Sequence, residues 1–209
     1  MTKFVETPVT NRSLAQRKLV FGKGINDANY LLSYKVDNKT QSCPYYVVWK
    51  SMLRRCYSPL FHIKQSTYID CSVCNSWLTF SNFKSWMMLQ DWVGKQLDKD
   101  ILEKGNKEYS PENCIFVTSQ LNVLLKDTQK VQGDYGLGVY WNTEKRKFKA
   151  SYRNRGIEKF LGYFVLEKDA IQAYCFNKAK YIKEIAEEQS ELKLKNALIN
   201  RANDLLLTI

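Results

Sequence analysis

The 209-residue sequence predicts an α+β chain assembled in two successive textures. Three observations carry that prediction. Helical apolar stripes alternate with short apolar strands along the chain. From Gln96 to Asp127 the order is strand, loop, strand, helix in about thirty residues. From 134 to 188 three short strands, set apart by turn signals, lead into one long helix.

The first forty residues read as an N-terminal arm (1–40). Gly22-Lys23-Gly24-Ile25-Asn26-Asp27 is turn-rich and Lys35 to Gln41 is polar, which leaves one or two short extended pieces around Leu19–Phe21 and Tyr30–Tyr34. A helix is predicted over Tyr45–Cys56, because Tyr45, Trp49, Met52, Leu53 and Cys56 share one face. Ser58-Pro59 breaks it. A second helix runs from about Ser81 to Gln90, with Phe80, Phe83, Trp86 and Met87 as its apolar face, and an aromatic stripe of that kind reads as core. Leu97–Ile101 reads as a short strand that carries Asp98, Lys99 and Asp100 where a site can sit. Gly105–Pro111 is a loop, Cys114–Val117 a short apolar strand, and Thr118 a cap for a helix with Leu121, Leu124 and Leu125 on its apolar side.

Asp127 to Gly133 reads as a linker, after which the pattern changes. Gly138–Trp141, Phe148–Tyr152 and Lys159–Phe164 are predicted strands, divided by turns at Asn142–Lys147 and Asn154–Glu158. A helix over about Glu167–Glu187 follows, striped by Ala170, Ala173, Tyr174, Tyr181 and Ile185. Tyr163 and Phe164 are expected in the core between sheet and helix. The tail, Ser190–Leu207, is a further amphipathic helix with Leu194, Leu198 and Leu205, and its two candidate partners are the body of the chain and a second copy in a homodimer.

Composition narrows the function. Formal charge is +11, from 32 Lys+Arg against 21 Asp+Glu, and a chain this basic points first to a polyanion such as nucleic acid. No apolar run approaches the roughly 18 residues of a transmembrane helix, so no membrane partner is expected. Met1-Thr2-Lys3-Phe4-Val5-Glu6 lacks an apolar h-region, so a reducing cytoplasm is the expected compartment. There the six cysteines are thiols or metal ligands. Cys71-Ser72-Val73-Cys74 is one CxxC with no second CxxC or CxxH at a suitable distance, and His62 is the sole histidine, so structural zinc is not expected.

The segment from Leu97-Asp98-Lys99-Asp100 through Tyr109-Ser110-Pro111-Glu112-Asn113-Cys114 to Asn122 resembles the ββα-metal core of HNH nucleases. More closely, it resembles phage-encoded HNH-like proteins of the homing-endonuclease type, with their YSPENC-like loop. Upstream, Tyr46-x-x-Trp49-x-x-Met52-x-x-Arg55-Cys56 and Cys74-x-x-Trp77-x-x-Phe80-x-x-Phe83 resemble that group's leading block, and Gly22–Tyr30 its arm, so the resemblance covers most of 20–127. It implies an HNH-like domain over 41–128. In that family an Asp-His pair ends the first strand, an Asn opens the second, and a further Asn or His lies on the helix. Asp98, Asn113 and Asn122 occupy those places, 15 and 9 residues apart. The resemblance therefore implies Asp98 and Asn122 as oxygen ligands of Mg²⁺ or another hard divalent ion, with Asn113 holding the loop.

This chain departs from the family where the general base should stand, since Lys99 follows Asp98 in place of His. A protonated lysine cannot take a proton from water. Three readings stay open: Lys99 binds phosphate while Asp100 or a metal-bound hydroxide activates water; His62 reaches in from elsewhere; or the site is silent and the protein only binds DNA.

Residues 134–188 resemble the APETALA2-type DNA-binding domain, through Gly138-Val139-Tyr140-Trp141, Phe148-Lys149-Ala150, Leu161-Gly162-Tyr163-Phe164, and Glu167, Ala170 and Tyr174 on the helix. Phage HNH-like proteins commonly append this module. Seven basic residues stand against three acidic ones between 134 and 166. Trp141, Lys149, Arg153 and Arg155 are the residues expected to face the duplex, with Arg suited to guanine edges. Arg146 belongs to the same basic set, and Lys145 and Lys147 suit phosphate. The expected function is a metal-dependent endonuclease acting on double-stranded DNA, in the host cytoplasm for a phage-encoded chain. The alternatives are a catalytically silent DNA-binding regulator and a phage counter-defence protein built on a nuclease scaffold.

Overall fold

A computed structural model of the chain describes residues 4–125, 135–136 and 138–207. It is a mixed α+β protein with small sheets, and it divides into two compact units, Met1–Val117 and Thr118–Ile209. The linker expected at Asp127–Gly133 lies outside the described residues.

The N-terminal segment of the first unit is more ordered than an arm. Helix α1 (Asn11–Ala15) is capped by Thr10, whose side chain accepts from the Ser13 amide. Beyond it the Arg17 guanidinium donates to the carbonyls of Asn26, Ala28 and Tyr30, which cross-links the turn-rich stretch. Gly24 lies against α2 (Pro44–Tyr57) so closely that an added Cβ would fall 2.3 Å from Leu53 and 2.8 Å from Trp49. Strands β1 (Ser33–Val36) and β2 (Lys39–Ser42) form a hairpin; β1 overlaps the extended piece expected around Tyr30–Tyr34, while β2 lies in the stretch that reads as polar. Its two-residue turn, Asp37-Asn38, takes φ of 48° and 60°, a conformation those short polar residues tolerate.

Helix α2 buries Trp49, Met52, Leu53 and Cys56, four of the five residues on the predicted stripe, and Tyr45 is half-buried. Ser58-Pro59 ends α2 and at once starts α3 (Pro59–Lys64), because Ser58 accepts from the Phe61 amide and proline suits the first helical position. Helix α4 (Phe80–Met88) buries Phe80, Phe83 and Met87. Trp49 donates from Nε1 to the Trp77 carbonyl at 2.6 Å, and Trp77 meets Phe83 edge-on at 5.0 Å between centroids. Around this aromatic core run four very short strands. β3 (Ser72–Val73) pairs parallel with β5 (Glu108–Tyr109), which lies inside the predicted loop, and β4 (Gln96–Asp98) pairs antiparallel with β6 (Ile115–Val117).

The second unit opens with α5 (Ser119–Leu124), capped by Thr118, which accepts from the Leu121 amide at 3.2 Å. β7 (Val139–Asn142), β8 (Lys147–Asn154) and β9 (Ile157–Phe164) form one antiparallel sheet, backed by α6 (Glu167–Glu187). Gly138 precedes it with φ of 65°, and a Cβ there would lie 2.1 Å from the Tyr174 ring, so both backbone and space demand glycine. Helix α7 (Leu192–Leu206) packs against α6 and buries Leu194, Ala197, Leu198 and Ala202.

Alternation assigns the two faces of the sheet. Val139, Phe148, Ala150, Leu161 and Phe164 pack with Ala170 and Ile171 of α6. Phe164 is thus in the expected core, whereas Tyr163 is on the opposite face, in one row with Tyr140 and Lys149. The reason is the period of two, with a bulge at Ala150/Ser151 that changes the register beyond it.

Candidate functional site

Two constellations gather polar side chains. The first is the turn after β4. Asp98 ends that strand opposite Ile115, and its Oδ1 accepts from the amides of Asp100 at 2.8 Å and Ile101 at 2.9 Å. Among the described residues Oδ2 accepts no hydrogen bond. The Lys99 side chain turns inward and the residue is only 5% exposed. Its ammonium donates to Asp100 Oδ1 at 2.6 Å and to the Asn106 carbonyl at 2.5 Å. A charge this deep is tolerable because both partners are acceptors. Asp100 keeps half of its side chain in solvent.

Asn106 ties the loop together. Its Nδ2 donates to the carbonyls of Lys99 at 2.9 Å and Glu108 at 2.6 Å, and its Oδ1 accepts from Asn113 Nδ2 at 3.3 Å. Asn113 therefore braces the Asp98–Asp100 turn through one intermediary. The sequence reading missed Asn106, although an Asn beside Gly105 in a polar loop is the available signal. Asn122, on α5, bonds through its amide to the Thr118 carbonyl and belongs to the second unit. His62 donates from Nε2 to the Arg55 carbonyl at 2.8 Å, a bond within the α2–α3 corner. Arg55 donates to the Tyr109 hydroxyl and the Leu97 carbonyl, and burial pushes the Tyr109 phenol above its ordinary range.

All six cysteines are free thiols. Burial pushes Cys56 up to about 12 and raises Cys71 and Cys114, so these groups pack as neutral thiols. No three His, Cys, Asp or Glu side chains among the described residues form a metal-holding group. A hard divalent ion that keeps most of its waters asks for only one or two protein oxygens, and the open Oδ2 of Asp98 fits that chemistry.

The second constellation is the outer face of the sheet, away from α6. The rows Tyr140–Lys149–Tyr163, Asn142–Lys147, Ser151–Phe160 and Arg153–Glu158 place their side chains there. Lys145 reaches over from the β7–β8 turn, its Nζ 4.6 Å from the Tyr163 ring centroid. Phe160 and Tyr163 lie 5.0 Å apart, and Phe160 is 55% exposed. Lys149 donates to Glu158 Oε1 at 2.8 Å. Bonds from Lys149 and Ser151 hold the Glu158 carboxyl below the usual carboxylate range. The face thus joins Lys145, Lys147, Lys149 and Arg153 to the rings of Tyr140, Phe160 and Tyr163 and to the Glu158 carboxylate.

The remaining expected contacts stand elsewhere. Trp141 shares its row with Phe148 and Phe164, on the α6 side, and meets Phe148 edge-on at 4.9 Å. Arg155 sits in the β8–β9 turn with φ of 48°; its amide donates to the Tyr181 hydroxyl and its guanidinium to Glu188 at 2.6 Å. Arg146 is exposed in the β7–β8 turn, with φ of 50°. No helix among the described residues is long and apolar enough to cross a membrane. No family model, curated protein or solved structure matches the chain.

Proposed function

We propose that the chain binds duplex DNA with the outer face of the β7–β8–β9 sheet and acts as a metal-dependent endonuclease of the HNH-like type. The observation that carries the proposal is that face, where four cations and three aromatic rings stand together on one side of the sheet. A sheet of this size enters a major groove about 12 Å wide. Arg153 is the side chain suited to base edges, and Lys145 and Lys147, at the β7–β8 turn, to phosphates.

The cleaving half is proposed for the turn after β4. Asp98 would supply a hard oxygen to Mg²⁺ or another hard divalent ion. Such an ion would supply charge stabilisation at the scissile phosphate and the leaving 3′-oxygen. Asn113 and Asn106 hold the turn, Lys99 orients Asp100, and Asp100 takes the proton from the attacking water. Incubation of the purified chain with duplex DNA and Mg²⁺ tests this reading. Nicking or cutting is expected, Asp98→Ala should abolish it while binding persists, and absence of cleavage with any divalent ion would sink the catalytic half.

A second reading, a silent DNA-binding regulator, is favoured by one observation: the buried Lys99 where the family carries its base. It predicts equal binding with and without Mg²⁺ and no nicking by the wild type. Lys99→His separates the two, since gain of nicking marks a disabled scaffold and loss of nicking marks a working lysine.

A further inference from the structure

We propose that Glu158 is the specificity-determining residue of the sheet face, accepting a hydrogen bond from the exocyclic N4 amine of a cytosine. This rests on the duplex-docking reading of that face. Glu158 stands on this face among Lys145, Lys147, Lys149 and Arg153. Against phosphates it is repelled, so it lowers affinity for every duplex alike. Its pairing gives the sheet little in return, because an ion pair this exposed contributes little to stability.

The geometry does suit a base edge. Lys149 holds Oε1 at 2.8 Å from the neighbouring strand, and Ser151 adds a second bond from the same strand. The carboxylate is thereby fixed before any ligand arrives, so little rotamer freedom remains to be lost on binding. About half of the side chain stays exposed. A carboxylate offers about four acceptor positions, and two are taken. The major-groove edge of cytosine presents a lone N4 donor, which a carboxylate matches. Adenine presents N6 beside the acceptor N7, which repels a carboxylate and suits an amide instead.

Selection of bound sequences from random duplexes, followed by affinity measurement, tests the assignment on the full chain. The wild type should prefer C·G at one position by about 10- to 100-fold. Glu158→Gln should move that preference toward A·T, and Glu158→Ala should erase it while tightening binding to random duplex. Thermal unfolding of the three proteins is measured alongside. An unchanged base preference in both variants, with or without a fall in Tm, overturns the assignment and leaves Glu158 as a cross-strand brace. Wild-type chain that retains no duplex overturns the docking reading itself, and this inference with it.

Discussion

Among the lysines at hydrogen-bond distance from a carboxylate, one in each compact unit invites comparison: Lys99, 2.6 Å from Asp100, and Lys149, 2.8 Å from Glu158. Lys99 has 6% of its side chain in solvent and a second partner in the Asn106 carbonyl, whereas Lys149 has 31% and borders an open aromatic face. The same side chain closes a loop in one unit and lines a surface in the other. Charge counting cannot tell them apart, since sixteen Lys and Arg fall on each side of the Val117/Thr118 boundary. Architecture does. The first unit pairs its backbone in strands of two to four residues, so loop carbonyls must be met by side chains such as Lys99, Asn106 and Arg17. The eight-residue strands β8 and β9 satisfy their backbone in ladders, which leaves outward side chains available to a partner.

The largest test of this contrast is on the aromatic core of the first unit. Trp49→Ala should lower stability by about 3–5 kcal/mol in denaturant unfolding, through the cavity and the orphaned Trp77 carbonyl. Next is the lysine pair itself. Lys99→Met should cost about 2 kcal/mol, less than a fully buried pair because Asp100 is half-exposed, and Lys149→Met within about 0.5 kcal/mol. Equal costs in the two variants would break the comparison.

A third lysine sharpens it through pH. Burial alone pulls Lys178 of α6 down to about 8. Below that pH the folded state holds a charge it disfavours; as pH rises from about 8 toward the free-lysine value near 10.4, the unfolded chain binds the extra proton and stability grows. The wild-type-minus-Lys178→Met stability difference should therefore climb over that window, and a flat difference would place Lys178 in water. Smaller still, Lys147→Ala should weaken duplex binding evenly across sequences and reduce the salt slope by about 1, read by titration at several ionic strengths. Least of all, Arg155→Ala should change stability by under about 0.5 kcal/mol, because its pair with Glu188 is exposed on both sides.

Much of the secondary structure was legible. The helix expected over Glu167–Glu187 stands at those residues, and Thr118 caps the helix it was expected to cap. Strands of two residues were not legible, because β3 and β5 owe their existence to each other across more than thirty residues rather than to any local pattern. Of the β1–β2 hairpin, the extended piece around Tyr30–Tyr34 touches β1, but β2 was hidden in the polar Lys35–Gln41 stretch, where only Asp37-Asn38 marks the turn. Of the candidate site residues, the basic character of the sheet segment could be read, but not which side of the sheet each residue takes. Trp141 and Lys149 look alike as strand residues and face opposite ways.

By itself, then, the sequence determined the α+β class, the apolar faces of α2 and α4, three of the seven buried positions of α6, and the three-strand-plus-helix order, since periods of 3.6 and 2 and the turns between them are local properties of the chain. Only the tertiary structure decided that Lys99 points into its loop, that Tyr163 faces outward, and that Glu158 stands among cations. Burial and facing depend on neighbours brought in from distant strands and on a single bulge, and no short window of residues contains either.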